Sequence, residues 1–404
     1  MQELFEIQQI LLDQCENTPF LERELFRNIT LDNKISGILG PRGVGKTTFL
    51  LHFVLSKGAR ERKALYVSAD NLYFLQNRLL DLVDRLYKET DIRLLCIDEV
   101  HKYPNWNQEL KNIADTYWDF RIVFTGSSLI DLIQSTYDLS RRVTTYPICG
   151  FSFREYLKWQ LKTDLPSFPI DEIVTSHQQI VQDLKIPTIL KHFQDYLRIG
   201  YFPFFWSFSQ DKERYQAMEN AIQKTIYEDI GTLHSLKTPT LLVIEKLYQY
   251  VISSAPGELS AFKLANALGK DFEAITTYLQ YLMQAGLIRF LYPKNLGKGH
   301  LRNPVKMVPD NSNLIHSTYL PLNKDFSLGK IRETFAINQL QNGKVKIYYS
   351  QKGDVRTDQH IFEIGGRSKK EAQIKGEKNG YVLADGILTG SERVIPLYLL
   401  GFLY

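Results

Sequence analysis

Short apolar runs alternate with longer amphipathic stretches over the first 150 residues of the chain. The apolar runs have the length of buried strands and lie at 33–39, 64–68, 93–97, 121–124 and 143–148. The stretches at 47–56 and 75–89 have the length and spacing of helices. Alternation of this kind predicts an α/β domain, residues 1–150, in which helices pack against a parallel sheet.

The pattern changes after this domain. Residues 151–235 are rich in aromatic residues and helix formers, which predicts a helical lid over the first domain. Three helical stretches and a strand follow within residues 236–293, the order of a winged helix. Residues 294–404 combine a helix with short strands and predict a small α/β domain that ends in a buried strand over 394–404.

A glycine-rich segment joins the first strand to the first helix of this pattern. It reads Gly40, Pro41, Arg42, Gly43, Val44, Gly45, Lys46, Thr47 and Thr48, and has the spacing G-x-x-x-x-G-K-T. Glycines let consecutive backbone N–H groups turn toward phosphate oxygens at the start of a helix. We predict that this segment binds ATP, with Lys46 at the β- and γ-phosphates and the Thr47 hydroxyl on Mg²⁺.

Polar residues end two of the later strands, and two arginines precede the last one. Asp98 and Glu99 follow the run at 93–97 and predict a carboxylate for Mg²⁺ and a general base for the attacking water, respectively. A hydroxyl from Thr125 or Ser127 is expected to contact the γ-phosphate. Arg141 or Arg142, before the last strand, is expected to act as an arginine finger in a neighbouring subunit's site.

Taken together, these segments resemble a known family. The set GPRGVGKTT, LLCIDEVHKYPNW, FTGSS, RRVTTYPICGFSFREYL and VIPLYLLGFLY is similar to archaeal and bacterial ATPases with an AAA+-type core and a carboxyl-terminal domain of unknown function. The resemblance implies a P-loop NTPase fold and, at matching positions, roles for Asp98, Glu99, Ser127 and the arginine before the Tyr-Pro strand. It also implies a restriction-endonuclease-like fold for the last domain.

Nuclease chemistry on that fold requires an acid, and then Glu-x-Lys, around a metal ion. Asp354 or Asp358 and Glu363 are available, but Gly365 stands where the lysine is needed. The sequence therefore predicts an inactive nuclease domain. Its cations are expected instead to contact a nucleic-acid backbone, together with those of the preceding loop. The residues of this predicted contact are Lys294, Lys298, Arg302, Lys306, Arg367, Lys369 and Lys370.

Composition excludes several classes of protein. The apolar fraction of 44% and the charged fraction of 23% are ordinary for a globular chain, and the net charge of +4 permits contact with DNA without requiring it. Cys15, Cys96 and Cys149 lack metal-ligand spacing, which favours a reducing compartment. The amino terminus lacks a basic leader, and no apolar run reaches membrane-spanning length, so we expect a cytoplasmic protein.

Two functions remain open from the sequence. The first is an AAA+-type ATPase, ring-forming and hexameric, that hydrolyses ATP with Mg²⁺ to translocate along or remodel DNA, possible substrates including branched or junction DNA. The second is a nucleotide-dependent signalling switch or scaffold that binds a protein partner in defence or toxin regulation. Turnover measured with and without DNA distinguishes them.

Overall fold

The structure is a computed structural model and describes residues 1–27, 29–126, 142–255, 259–294, 306–319, 327–369 and 371–404. These residues divide into two compact units, 1–149 and 150–404.

The first unit is built on a parallel sheet of five strands. The strands are β1 (Ile35–Leu39), β2 (Leu65–Ser68), β3 (Leu94–Asp98), β4 (Arg121–Gly126) and β5 (Val143–Pro147). They lie in the order β2-β3-β4-β1-β5, and every neighbouring pair is parallel. The predicted parallel α/β core is confirmed. Because all five carboxyl ends meet at one edge, polar residues that follow different strands come together there.

Helices cover this sheet because each carries an apolar stripe. The helices are α1 (Gln2–Glu16), α2 (Glu24–Arg27), α3 (Lys46–Ser56), α4 (Leu79–Glu89) and α5 (Trp106–Thr116). In α4, Leu79, Leu82, Val83 and Leu86 follow helical spacing and are all buried.

The second unit begins with helices. They are α6 (Phe153–Leu161), α7 (Ile170–Leu184), α8 (Ile189–Ile199), α9 (Asp211–Lys224), α10 (Thr238–Ser253), α11 (Ala261–Leu268), α12 (Phe272–Gln284), α13 (Ser312–Tyr319) and α14 (Leu328–Asn342). The start of α6 is fixed by a capping box, in which Ser152 Oγ accepts from the Glu155 amide and the Glu155 carboxylate accepts from the Ser152 amide.

Two sheets complete the second unit. One is the antiparallel pair β6 (Ile288–Leu291) and β7 (Lys306–Pro309). The other has five strands in the order β12-β11-β10-β9-β8. These are β8 (Tyr348–Tyr349), β9 (Val355–Arg356), β10 (Ile361–Gly365), β11 (Gly380–Ala384) and β12 (Val394–Pro396). The expected terminal strand is shorter than the sequence indicates, because Pro396 lacks the N–H needed to extend the ladder and a 3₁₀ helix, Leu397–Phe402, follows.

One core runs through the second unit. Phe193 contacts Phe153 and Phe335, with ring centroids 5.2 and 4.8 Å apart, and Tyr398 lies 6.5 Å from Phe153. Helices α6, α8 and α14 and the carboxyl-terminal segment therefore share buried aromatic contacts. The finer division into 151–235, 236–293 and 294–404 stays a prediction.

Candidate functional site

The glycine-rich segment forms a loop between β1 and α3, at the carboxyl edge of the first sheet. Gly43 and Gly45 have φ values of 82° and 97°, a backbone region in which a side chain is strained. A Cβ at Gly40 would lie 2.3 Å from the Ile148 carbonyl oxygen, so only glycine fits against the segment after β5. The loop is thus shaped by its glycines to present backbone amides at the start of α3.

Lys46 is the first residue of α3 and is 7% exposed. Its Nζ donates to the carbonyl oxygens of Gly40 and Pro41, both at 2.8 Å. The ammonium therefore lies over the loop that carries it. This is the place from which a phosphate-loop lysine contacts phosphate oxygens.

Asp98 connects the loop to the sheet. Its carboxylate accepts hydrogen bonds from Thr47 Oγ1 at 2.7 Å, from the Tyr66 hydroxyl at 3.1 Å and from Thr125 Oγ1. Asp98 is 95% buried, and these three neighbours lie on β2, on β4 and in the first turn of α3. Burial, with the nearby Asp98 charge, raises the pKa of Tyr66 far above its usual value, so Tyr66 stays a neutral donor.

Tyr66 and Thr125 are partners of Asp98 that sequence reasoning missed in this role. Thr125 was expected at the γ-phosphate, yet its hydroxyl donates to Asp98 and accepts from the Glu99 amide at 2.9 Å. Only knowledge of the strand order could have identified these partners, because β2 and β4 lie on either side of β3, the strand that ends in Asp98.

Glu99 leaves β3 with an unusual backbone. Its φ of 50° is in the left-handed region, which costs a residue with a side chain on the order of 1 kcal/mol. The bond from its amide to Thr125 fixes this turn, and its carboxylate Oε1 lies 3.7 Å from Arg42 Nη1. Strain of this kind, held by neighbours, is typical of functional positions.

The residues around the loop fit Mg²⁺ and a nucleoside triphosphate. Mg²⁺ prefers hydroxyl and carboxylate oxygens, and Thr47 Oγ1 and Asp98 Oδ2 already lie 2.7 Å apart. Thr47 and Asp98 would hold the ion, whereas Lys46 and the amides from Gly43 to Thr48 would hold the phosphates. Val44, which is 1% exposed, packs in the core, so only its backbone serves the loop.

The other predicted catalytic residues are Ser127 and one of the two arginines before β5. Ser127 and Arg141 lie outside the described residues. Arg142 precedes β5, which pairs with β1 from Val143 opposite Ile35. The phosphate loop follows the other end of β1, about 13 Å further along the strand. The guanidinium of Arg142 instead pairs with Asp115, with N–O distances of 2.8 and 3.3 Å. It lies at the edge of the sheet opposite the loop of its own chain.

The predicted basic loop is corrected at Lys306. This lysine begins β7, is 4% exposed, and its Nζ lies 2.9 Å from Glu333 and 3.6 Å from Asp354. Two carboxylates hold it in the interior, so it cannot contact a nucleic acid. Lys294 is exposed and pairs with Asp358 at 2.8 Å, whereas Lys298 and Arg302 lie outside the described residues.

The second predicted basic group is also partly neutralised. Lys369 Nζ lies 2.5 Å from the carboxylate of Glu363, which is completely buried. Arg367 is exposed, and Lys370 lies outside the described residues. Burial raises the pKa of Glu363 in spite of Lys369, and raises that of Glu333 to about 7. Across the part of the chain that the structure describes, no three acidic, imidazole or thiol groups are arranged to hold a metal ion.

Replacing Lys306 by Met is expected to lower the free energy of unfolding of the second unit by about 2 kcal/mol, because Glu333 and Asp354 lose their buried cation. Proton uptake by Glu333, whose pKa is already about 7, limits the loss. Amide hydrogen exchange of β10 in the full chain measures it. The matched control, Lys294→Met, removes an exposed pair and is expected to leave the exchange unchanged. Equal effects of the two variants would contradict a buried ion-pair network.

Two family models match parts of the chain. Residues 32–157 match the AAA domain family, and residues 190–316 match a domain of unknown function, DUF8612. The AAA match includes the phosphate loop, Asp98, Glu99 and Arg142. Among curated proteins, none matches the sequence. This part of the chain is therefore similar to AAA domains.

Several solved structures match about two thirds of this chain at low sequence identity. AMPPCP-bound DnaA from Aquifex aeolicus is 18% identical, with 67% of this chain and 90% of that chain covered and a TM-score of 0.25. PCH-2 from C. elegans is 13% identical, with 68% of each chain covered and a TM-score of 0.25. The Hsp104–ADP complex from S. cerevisiae is 13% identical, with 68% and 40% covered and a TM-score of 0.31. Within the described residues, no helix could cross a membrane.

Proposed function

We propose that this protein hydrolyses ATP to ADP and phosphate and, as a ring-forming hexamer, uses that cycle to translocate along or remodel DNA. The observation that supports the ATPase most directly is the hydrogen bond between Thr47 of the phosphate loop and Asp98 at the end of β3, with Glu99 adjacent. A hydroxyl and a carboxylate in this contact provide the oxygen ligands that Mg²⁺ takes beside a triphosphate.

Each residue of the site has a role in this reaction. Mg²⁺, when bound, supplies charge neutralisation at the phosphates. Lys46 and the loop amides orient the phosphates, and Glu99 accepts the proton of the attacking water. The Glu99 side chain is 27% exposed, so water reaches it, while Thr125 fixes its backbone. Ser127 stays in the proposal as a further phosphate contact.

Arg142 is proposed to act across a subunit boundary. Its place at the edge of the sheet opposite its own loop favours a role at a neighbour's nucleotide, where a guanidinium stabilises the charge of the transition state. Its ion pair with Asp115 would have to open in the ring. Arg141 remains an alternative for the same role.

If Arg142 acts in the site of a neighbouring subunit, two variants that are inactive alone are expected to restore activity when mixed. Arg142→Ala and Lys46→Ala proteins are each expected to be inactive alone, because one lacks the finger and the other the phosphate contact. Mixed one to one, they are expected to regain roughly a quarter of wild-type turnover, since random mixing joins an intact loop to an intact finger at that frequency. Arg121→Ala, at the same edge of the sheet, is the control and should keep full activity. Normal turnover by Arg142→Ala alone would exclude the role.

DNA as the substrate rests on the second unit. Helices α10, α11 and α12 followed by the β6–β7 pair have the order of a winged helix, and Glu273 and Gln280 are exposed on α12. Arg367, Lys375 and Lys378 are exposed and could contact phosphates. Lys298, Arg302 and Lys370 belong to the same proposal.

A second function, the nucleotide-dependent switch or scaffold for a protein partner, is favoured by a specific observation. Lys294 and Lys369 pair with carboxylates and Lys306 is buried, which lowers the positive charge available for DNA. A surface of mixed charge suits a protein partner better than a phosphate backbone.

One measurement separates the two functions. ATP turnover is followed without DNA and with single strand, duplex and four-way junction, at low and high salt. Stimulation by DNA that weakens as salt rises supports the motor, because phosphate contacts release counterions. Slow turnover that no DNA changes, with no detectable DNA binding, supports the switch.

A further inference from the structure

Arg42 gives the phosphate loop a second cation, which the reaction described above does not use. Its Nη1 lies 3.7 Å from Glu99 Oε1, and the two side chains are 17% and 27% exposed. Lys46, the other cation of the loop, donates to the loop carbonyls of Gly40 and Pro41. The two cations therefore face different groups, and the one on the loop itself contacts the proposed general base.

This contact is between groups held by different elements. Arg42 belongs to the loop after β1, whereas Glu99 follows β3, and its left-handed backbone is fixed by the bond to Thr125. Since β4 separates these strands in the sheet, only the tertiary fold brings the pair together. The partial burial of both side chains reduces the screening of their attraction by water.

A guanidinium prefers phosphate to a single carboxylate when both are in reach. Phosphate oxygens carry more charge and accept the planar fork of arginine in a bidentate contact. A carboxylate and a γ-phosphate also repel each other, so the arrival of the phosphate favours separation of Arg42 from Glu99. A diphosphate has no group at that position and leaves the pair as it is.

We infer that Arg42 determines the preference of this site for ATP over ADP, by exchanging its contact with Glu99 for one with the γ-phosphate. The inference rests on the proposed ATPase function and extends it. In this role Arg42 releases Glu99 for the attacking water only when a third phosphate is present. Arg42 is thus a specificity-determining residue, and Glu99 remains the base.

Nucleotide affinity tests this inference without relying on turnover. Binding of ADP and of a non-hydrolysable ATP analogue is measured by calorimetry with Mg²⁺. Arg42→Gln is expected to lower the ratio of analogue affinity to ADP affinity about tenfold while ADP affinity changes less than about threefold. The matched control is Arg85→Gln, whose partner Glu89 lies at the same 3.7 Å on an exposed face of α4. It should leave both affinities unchanged.

A double-mutant cycle tests the exchange itself. Glu99→Gln is expected to raise analogue affinity several-fold when Arg42 is present, because no carboxylate then competes for the guanidinium. In the Arg42→Gln background the same change should raise analogue affinity less, because only the repulsion between the Glu99 carboxylate and the γ-phosphate is then relieved. Additive effects of the two substitutions would overturn the exchange, and an unchanged affinity ratio in Arg42→Gln would overturn the role of Arg42.

Failure of the inference differs from failure of the proposed function. A wild-type protein that binds neither nucleotide would overturn both. A wild-type protein that hydrolyses ATP, with an Arg42→Gln variant of unchanged preference, would overturn only the inference. If Arg42→Gln does not fold by circular dichroism, Arg42→Lys replaces it, since lysine keeps the charge without the fork. An intermediate loss of preference is then expected, and no loss overturns the inference.

Discussion

Substituting Gln for Glu99 is expected to retain ATP binding, with an affinity no lower than that of the wild type, and to slow hydrolysis by about 10²- to 10⁴-fold, the range that positioned acid–base groups contribute. Glutamine has the same shape but accepts no proton from water. Because the bond from the residue 99 amide to Thr125 and the ligands at Asp98 do not involve the substituted carboxylate, the fold of the site is retained. Single-turnover hydrolysis of labelled ATP separates the chemical step from binding.

The control for this variant makes the same chemical change elsewhere. Glu89→Gln lies in the last turn of α4, where Glu89 pairs with Arg85 on an exposed surface. Its turnover is expected to equal that of the wild type. Normal hydrolysis by Glu99→Gln would mean that another group accepts the proton, and the assignment of the base would be wrong.

Removal of the Lys46 ammonium is expected to weaken ATP binding strongly. In Lys46→Ala the phosphates lose a cation that is 93% buried, and loss of one partner of such a pair costs about 2–5 kcal/mol of binding. The dissociation constant for ATP is therefore expected to rise by a factor of about thirty to several thousand. Equilibrium binding of a fluorescent ATP analogue in the presence of Mg²⁺ measures this change.

Lys57→Ala tests whether charge alone accounts for the loss. Lys57 follows the same helix at its other end and is exposed. It removes one positive charge from the same unit without touching the loop, so nucleotide affinity should stay at the wild-type value. If both lysine variants weaken binding equally, the effect is one of net charge, and the phosphate contact is not where we place it.

The phosphate loop and the acid pair were accessible from the sequence because each is local. Gly40, Gly43, Gly45, Lys46 and Thr47 lie within eight consecutive residues, and their spacing alone predicts the loop and its chemistry. Asp98 and Glu99 end an apolar run of strand length, so their place at the edge of a sheet follows from the same pattern. A motif that depends on no distant residue can be recognised from consecutive residues alone.

The order of the strands was decided only by the fold. Tyr66 and Thr125 contact Asp98 because β2 and β4 lie on either side of β3, and no motif in the sequence pairs either residue with Asp98. The sequence does not reveal which strands become neighbours, since pairing depends on how all the helices cover the sheet.

The local order of residues determined the phosphate loop, the acid pair and the strands of the first unit, since each depends on residues close together along the chain. The tertiary structure alone decided that Lys306, read as part of a basic loop, is buried between Glu333 and Asp354. It also placed Arg42 beside Glu99 and Arg142 at the opposite edge of the sheet. The physical reason is that the effect of a charged side chain depends on the groups that surround it, and here those groups lie on other elements, far along the chain.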